Sequence, residues 1–331
     1  MTELMLEGLD GGNPLAYLAA LGALRTTALA WPLRKARLHW SNARGGWRPC
    51  LSLDGEMNRE DWLAAVDQSL RDKSGQTAFT LADDSTAFSV LLSTKPRDGQ
   101  TALTDANDLT LPCIEYKPAA SAAAITATTN DRRHADFLAA FGSEAVESEA
   151  NGKKTGQISD TALRTMSGAG HQHFLGFMRE LAGATEAGHL RRALFDTWDY
   201  TDPGPSMRWD PSDDRRYALR WQQPSGDPTK TVRGANRLAI EALPLLPTAP
   251  INGRLETTGF TQRKGRGVIW TWPIWAVPVS LDVTRSLVAL PELQKETPDR
   301  RVLSAMGIAE IYRCQRITQG KYRNFTPAAP A

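Results

Sequence analysis

The chain has 331 residues, 41% of them hydrophobic and 23% charged, the composition of a globular protein long enough for one large domain or two ordinary ones. Its 39 Lys/Arg against 37 Asp/Glu leave +2, so the whole-chain charge argues for no particular partner. A spanning helix is excluded because no run of about 18 apolar residues occurs. Three scattered cysteines (Cys50, Cys113, Cys314) exclude a disulfide framework and a CxxC zinc site and fit a reducing cytoplasm.

Residues 3–9 read as a short strand running into the turn Asp10-Gly11-Gly12. Asn13 offers an N-cap and Pro14 sits at N1, where its missing N–H costs nothing. The small-residue helix that follows, rich in Leu and Ala, suits close packing. It lacks the basic flank and cleavage site of a signal peptide. Residues 35–53 alternate as two strands across an Asn42–Gly46 turn, and Asn58 to Leu70 has the spacing of an amphipathic helix. Between residues 71 and 118 only Phe88–Leu92 suggests a strand, and Asp83-Asp84 reads as a turn. Ala119–Asn130 is a small-residue tract, either loop or helix, and Asp136–Phe141 is predicted helical.

Glu144–Asp160, polar and glycine-containing, reads as a surface loop and a candidate boundary. It would divide the chain into an N-terminal α+β domain (1–150) and a Trp-rich, basic C-terminal α+β domain (151–331), or mark a loop on one compact unit. Helices are expected over His171–Ala182, Gly234–Leu243, Asp282–Leu290 and Arg301–Arg316. Two short strands are expected between Trp198 and Trp221, and a hairpin pairs Thr258–Thr261 with Val268–Thr271. Helices and antiparallel strands are thus irregularly interleaved, an α+β class and not a doubly wound sheet.

Charge is unevenly distributed. Residues 251–331 hold 12 Lys/Arg and 6 Asp/Glu, whereas residues 1–250 hold 27 and 31. Segregation of this kind suits a basic surface for a polyanion. Its densest part is Arg263-Lys264-Gly265-Arg266-Gly267, where glycines can bring backbone N–H groups as well as cations to phosphates. Arg313, Arg316, Lys321 and Arg323 follow, interleaved with Tyr312, Tyr322 and Phe325, a pattern suited to stacking bases and holding a backbone. Arg233 and Arg237 flank a helix start that favours anions. Arg215, Arg216 and Arg220 have Asp210, Asp213 and Asp214 within reach and read as internal pairs. The pair His171 and His173 diverges on a helix and has no cysteine beside it; distant Asp160 or His189 would have to complete a metal site. Walker A, Rossmann, G-x-S-x-G and HExxH signatures are absent, and no catalytic residue, metal ligand or cofactor is assigned.

The run from Leu6 to Arg25, a glycine/proline turn leading into Pro-Leu-Ala-Tyr-Leu-Ala-Ala-Leu-Gly-Ala-Leu-Arg, resembles the opening of CRISPR-associated proteins of the type I-G (formerly I-U) systems. Trp209-Asp-Pro, Asp214-Arg-Arg-Tyr-Ala-Leu, Arg233-Gly-Ala-Asn-Arg-Leu-Ala and Trp272-Pro-Ile-Trp are similar to further blocks of that group. The resemblance implies a large-subunit-like or accessory component of a Cascade-type effector, with other Cas subunits and CRISPR RNA or target DNA as partners and no membrane. Its matched blocks are structural and transfer no individual site residue. The resulting expectation is a non-enzymatic, cytoplasmic nucleic-acid-binding subunit contacting backbone through Arg263, Lys264, Arg266, Arg313, Arg316, Lys321 and Arg323. Two alternatives stand beside it: a metal-dependent nuclease or phosphoesterase built on His171 and His173, and a purely structural subunit docking through an aromatic surface near Trp270–Trp275.

Overall fold

The interleaving of elements expected from the sequence is present in the computed structural model, which describes residues 2–71, 113–127, 132–166, 172–213, 230–319 and 322–331. In chain order come β1 (Thr2–Met5), α1 (Pro14–Ala30), β2 (Arg37–Ala43), β3 (Gly46–Leu53), α2 (Arg59–Ser69), α3 (Cys113–Ala127) and α4 (Arg133–Phe141). Then follow β4 (Gly142–Ala150), β5 (Lys153–Asp160), α5 (Phe174–Ala184), α6 (Ala187–Phe195), β6 (Asp202–Pro203), β7 (Lys230–Thr231) and α7 (Arg233–Ala242). The last group is β8 (Thr248–Ile251), β9 (Arg254–Thr257), β10 (Phe260–Arg263), β11 (Gly267–Trp275), β12 (Val279–Ser280), α8 (Leu281–Val288), α9 (Arg300–Ala305), β13 (Ile308–Gln319), β14 (Tyr322–Phe325) and β15 (Ala329–Pro330). The class is α+β.

Helix α1 starts as its residues dictate. The Asn13 side chain accepts from the Ala16 N–H at 3.1 Å, and Pro14 occupies the first turn. Substituting Asn13 with alanine should therefore lower stability by about 1 kcal/mol in urea denaturation. Every residue from Pro14 to Thr27 is buried, so over this stretch α1 has no solvent face and is packed on all sides. On one side it meets α7. A Cβ on Gly22 would lie 1.8 Å from the Leu238 carbonyl oxygen, so the two backbones approach where only glycine fits. Arg25 of α1 and Arg237 of α7 both pair with the buried Glu241, at 2.6 and 3.0 Å.

The other side of α1 faces two antiparallel sheets. One has the order β1-β3-β2-β12, the other β10-β11-β13-β14, with β15 also paired to β13. Tyr17 joins them: its ring stacks on Trp40 of β2 (centroids 5.6 Å apart) and touches Trp272 (5.6 Å) and Trp270 (6.2 Å) of β11. Trp272 donates its indole N–H to the Gly11 carbonyl at 2.9 Å, and Trp275 donates to Leu38 at 2.7 Å. Buried indoles need such partners. Residues from both sides of position 150 share this core, and β12 completes the sheet of the N-terminal hairpin. Among the described residues no helix is long and apolar enough to cross a membrane.

Several elements differ from expectation. Glu144–Asp160 is not a loop: β4 and β5 form a hairpin across Asn151-Gly152, whose φ angles are +52° and +73°. Asn-Gly is the dipeptide that such a tight turn favours, but the strands around it are mostly exposed and lack the apolar alternation that marks a strand. The helix expected over Arg301–Arg316 ends at Ala305. Gly307, at φ +81°, breaks it, as glycine does just past a helix end. The chain then enters β13, whose Ile308, Ile311 and Cys314 are buried against β11. Ala119–Asn130 lies largely within α3, and Arg133–Phe141 and Phe174–Ala184 are helical. Of the two strands expected between Trp198 and Trp221, the short β6 is present and pairs with β7; residues 214–229 lie outside the described residues, as do Phe88–Leu92 and Asp83-Asp84.

Candidate nucleic-acid interface

The basic cluster at 263–266 forms the turn between β10 and β11, with Gly265 and Gly267 at φ +76° and +72°. Lys264 stands exposed at its tip. The arginines beside it divide their roles. Arg263 donates to the carbonyls of Gln294 and Lys295 at 3.1 Å each and pairs with Glu296. Arg313, on β13, donates to the carbonyls of Leu293, Lys295 and Glu296 at 3.0, 2.5 and 2.9 Å. These carbonyls close and follow the short 3-10 turn Pro291–Gln294, where orphan acceptors need donors. Arg263 and Arg313 are thus a clamp on this segment, correcting their assignment as free phosphate ligands. Burial, then the neighbouring Arg263, Arg300 and Arg266, lower the affinity of Arg313 for its proton. Arg266 keeps 69% of its side chain exposed while pairing with Glu296 at 3.0 Å, so solvent meets Lys264 and Arg266.

A second group lies where the face of the β13–β14 pair runs out of core. Phe325 pairs in register with Arg316, and Arg323 with Thr318, so Arg316 and Arg323 are diagonal neighbours on one face. Phe325 is buried, 5.6 Å from Trp270 and 6.2 Å from Phe260; it closes the core and does not stack on a base, which corrects that assignment. One step further out, the two arginines meet Asp160, at the end of β5, and the buried Arg164. Asp160 pairs with Arg164 and, at 3.6 Å, with Arg323, while Arg316 donates to the Arg164 carbonyl at 2.8 Å. Among the described residues Asp160 thus binds two guanidiniums, and the third, Arg316, is held on the Arg164 carbonyl. The Nε of Arg316 and an Nη of Arg323 are buried without a hydrogen-bond acceptor. Burial, then Arg323 and Arg164, pull the Arg316 guanidinium down to about 10, with Asp160 opposing. Like charges held together out of water are costly unless an anion joins them.

The arginines open into two adjoining cavities of about 260 and 610 Å³, which share Asp160, Arg254 and Arg323 on their walls. The larger also carries Glu147 and Glu149 on its walls and the smaller Glu256, so carboxylates line both beside the arginines. Arg164 and Arg254 belong to this groove and carried no signal in the sequence. They are far from one another along the chain, and only the β4–β5 and β8–β9 hairpins bring them to β14.

The remaining expectations fare differently. Arg237 is buried, paired with Glu241 and donating to the Leu70 carbonyl at 3.2 Å; it is a core residue and cannot reach a phosphate. Arg233 donates to Pro203 and Ala184 carbonyls, and its backbone N–H at the start of α7 is taken by Asp202 at 3.0 Å. The chain's own carboxylate thus occupies the anion position expected there. Tyr322 belongs to β14, and Lys321, His171, Arg215, Arg216 and Arg220 lie outside the described residues. Asp160 is engaged with Arg164 and Arg323, and His189 lies 3.2 Å from Arg233 and 3.9 Å from Asp202. Trp270, Trp272 and Trp275 are core and present no aromatic docking surface. Among the described residues Glu3, His39 and Cys50 are close enough to share a metal, on the other sheet. Burial and then Glu3 push the Cys50 thiol up to about 11, which suits no nucleophile.

No protein-family model matches the chain, and no curated protein matches it.

Proposed function

We propose that the chain is a non-enzymatic subunit of a type I CRISPR effector complex of the cytoplasm, holding the sugar-phosphate backbone of guide RNA or target DNA. The observation that carries the nucleic-acid part is the pair Arg316 and Arg323, side by side at the groove, each with a buried N–H that lacks an acceptor. A phosphodiester supplies the missing acceptors together with a negative charge. Exposed Lys264 and Arg266 on the β10–β11 turn, on the Arg313 side of the sheet, are a second basic patch. The effector-complex part is supported by the similarity of the Leu6–Arg25 run and the later blocks to type I-G proteins.

Fluorescence anisotropy with labelled single-stranded RNA, single-stranded DNA and duplex DNA across a salt series tests the first part. The double variant Arg316→Gln/Arg323→Gln should bind at least about tenfold more weakly on every sequence, and the salt slope should flatten by about 0.7–0.9 for each lost phosphate contact. Lys264→Gln/Arg266→Gln should act in the same direction with a smaller loss. Unchanged affinity and slope in the Arg316/Arg323 variant, with its circular dichroism intact, would remove the groove from the interface. Co-purification with tagged Cascade-type subunits, with and without guide RNA, tests the second part.

A further inference from the structure

We infer that Glu3, His39 and Cys50 form a zinc-binding site on the face of the β1–β3–β2 sheet turned away from the core. The strand registers put them together. Cys50 lies in the central strand, directly opposite His39 on one side and Met5 on the other, and Glu3 sits two residues from Met5 on the same face. The alternate residues Leu38, Trp40, Leu51 and Leu53 belong to the hydrophobic core, and Cys50 does not. The three polar side chains share the sheet's other face, with Glu3 exposed, His39 partly buried and Cys50 buried.

Their ligand atoms all lie within 4.8 Å of one another. Zinc bonds of about 2.0–2.3 Å in a tetrahedron place ligand atoms about 3.3–3.8 Å apart, so closure needs side-chain adjustments of about 1 Å. Glu3, with 48% of its side chain exposed, is free to make them. None of the three is committed elsewhere by a strong hydrogen bond. The imidazole Nε2 of His39 is 3.8 Å from Glu3, beyond hydrogen-bond length, and its Nδ1 is buried with no acceptor or donor. Cys50 reaches only its own strand, at 3.9 Å from the Arg48 carbonyl. Thiolate, imidazole and carboxylate together match zinc, a borderline-soft ion, whereas magnesium and calcium take oxygen alone. Three protein ligands with the exposed Glu3 at the rim leave a fourth position toward solvent, for water or a ligand from another chain.

The test uses the full chain purified without a histidine tag, loaded with Zn²⁺ or Co²⁺ and desalted. About one metal per chain is expected, and the Co²⁺ form should show a thiolate-to-cobalt absorption band in the near ultraviolet. Cys50→Ala and His39→Ala should each weaken binding by more than about 100-fold, beyond the ~10–100-fold typical of losing an outer partner. Cys113→Ala should bind as the parent does. Glu3→Gln, at a half-exposed position that folding tolerates, should also weaken binding and keeps the test valid if a variant at the buried Cys50 fails to fold. Metal that washes out on desalting, a Co²⁺ spectrum without the thiolate band, or equal retention by Cys50→Ala would overturn the assignment.

Discussion

Glu241→Gln should lower the unfolding free energy by about 3–5 kcal/mol, the cost of breaking a buried ion pair from one side. Glu241 receives Arg25 at 2.6 Å and Arg237 at 3.0 Å, and all three side chains are nearly inaccessible. Removing its charge takes from two core guanidiniums the carboxylate that pairs them, while Arg237 still donates to the Leu70 carbonyl and Arg25 still lies 5.4 Å from the Phe137 ring. Arg25→Met should cost less, because Arg237 still neutralises the carboxylate. The sign of the pH dependence follows from the carboxyl's environment. Burial by itself raises its affinity for a proton, but Arg237 and Arg25 outweigh this and hold it below the ordinary glutamate value of 4.5. The stabilisation is therefore complete above the unfolded-state value and is lost as pH falls through the folded one. Urea unfolding of the parent and Glu241→Gln at neutral pH and in acid measures both effects. A difference below about 1 kcal/mol at neutral pH, a typical single hydrogen bond, would mean that the cluster is solvated and not a core device.

Gly22→Ala should destabilise by about 3 kcal/mol, at the upper end of overpacking penalties, although alanine is the better helix former by about 1 kcal/mol. The added methyl would sit 1.8 Å from the Leu238 carbonyl oxygen and 2.6 Å from its carbon. Backbone cannot swing aside as a side chain can, so α1 and α7 must separate and the Arg25–Glu241 contact must lengthen. Gly183→Ala supplies the opposite sign. It lies in α5 with nothing within 4 Å of the new methyl, and should stabilise by about 0.4–1 kcal/mol by restricting the unfolded chain. Thermal or urea unfolding of the two variants side by side separates close approach from helix propensity. Equal behaviour of the two would refute the packing of α1 on α7 described here.

What could be read in advance was local. Asn13-Pro14 announces α1, Asn58 announces α2 with its side chain accepting from Asp61 at 2.8 Å, and alternation announces the β2–β3 hairpin. Once its turn is placed at Arg44-Gly45, where both φ angles are positive, the pairing of His39 with Cys50 follows without further information. Asn151-Gly152 carried the same signal, obscured by polar flanks that never enter a core. β13 was hidden because Arg301–Arg316 holds a true helix start joined to a strand, and Gly307 between them was the mark to weigh. The arginines were the least legible. A cation's sequence neighbours say nothing about which carbonyl or carboxylate awaits it. Arg263, Arg313, Arg233 and Arg237 proved to serve the fold, whereas Arg316 and Arg323 keep buried N–H groups without acceptors at a groove. That distinction depends on Asp160 and Arg164, brought there by a hairpin whose strands were not foreseen.

The pairing of α1 with α7 also sets a timetable during synthesis. Roughly 200 residues separate the end of α1 from the start of α7, which at about 5–20 residues per second is a wait of about 10–40 s. Throughout it, a helix without any polar face has lost contact with the ribosome exit region and has not met the element that covers it. A ribosome paused before residue 233 therefore presents an apolar rod to chaperones, and nascent chains stalled there should be recovered with such holdases bound, whereas chains extended past α8, with β12 in place beside β2, should be released from them.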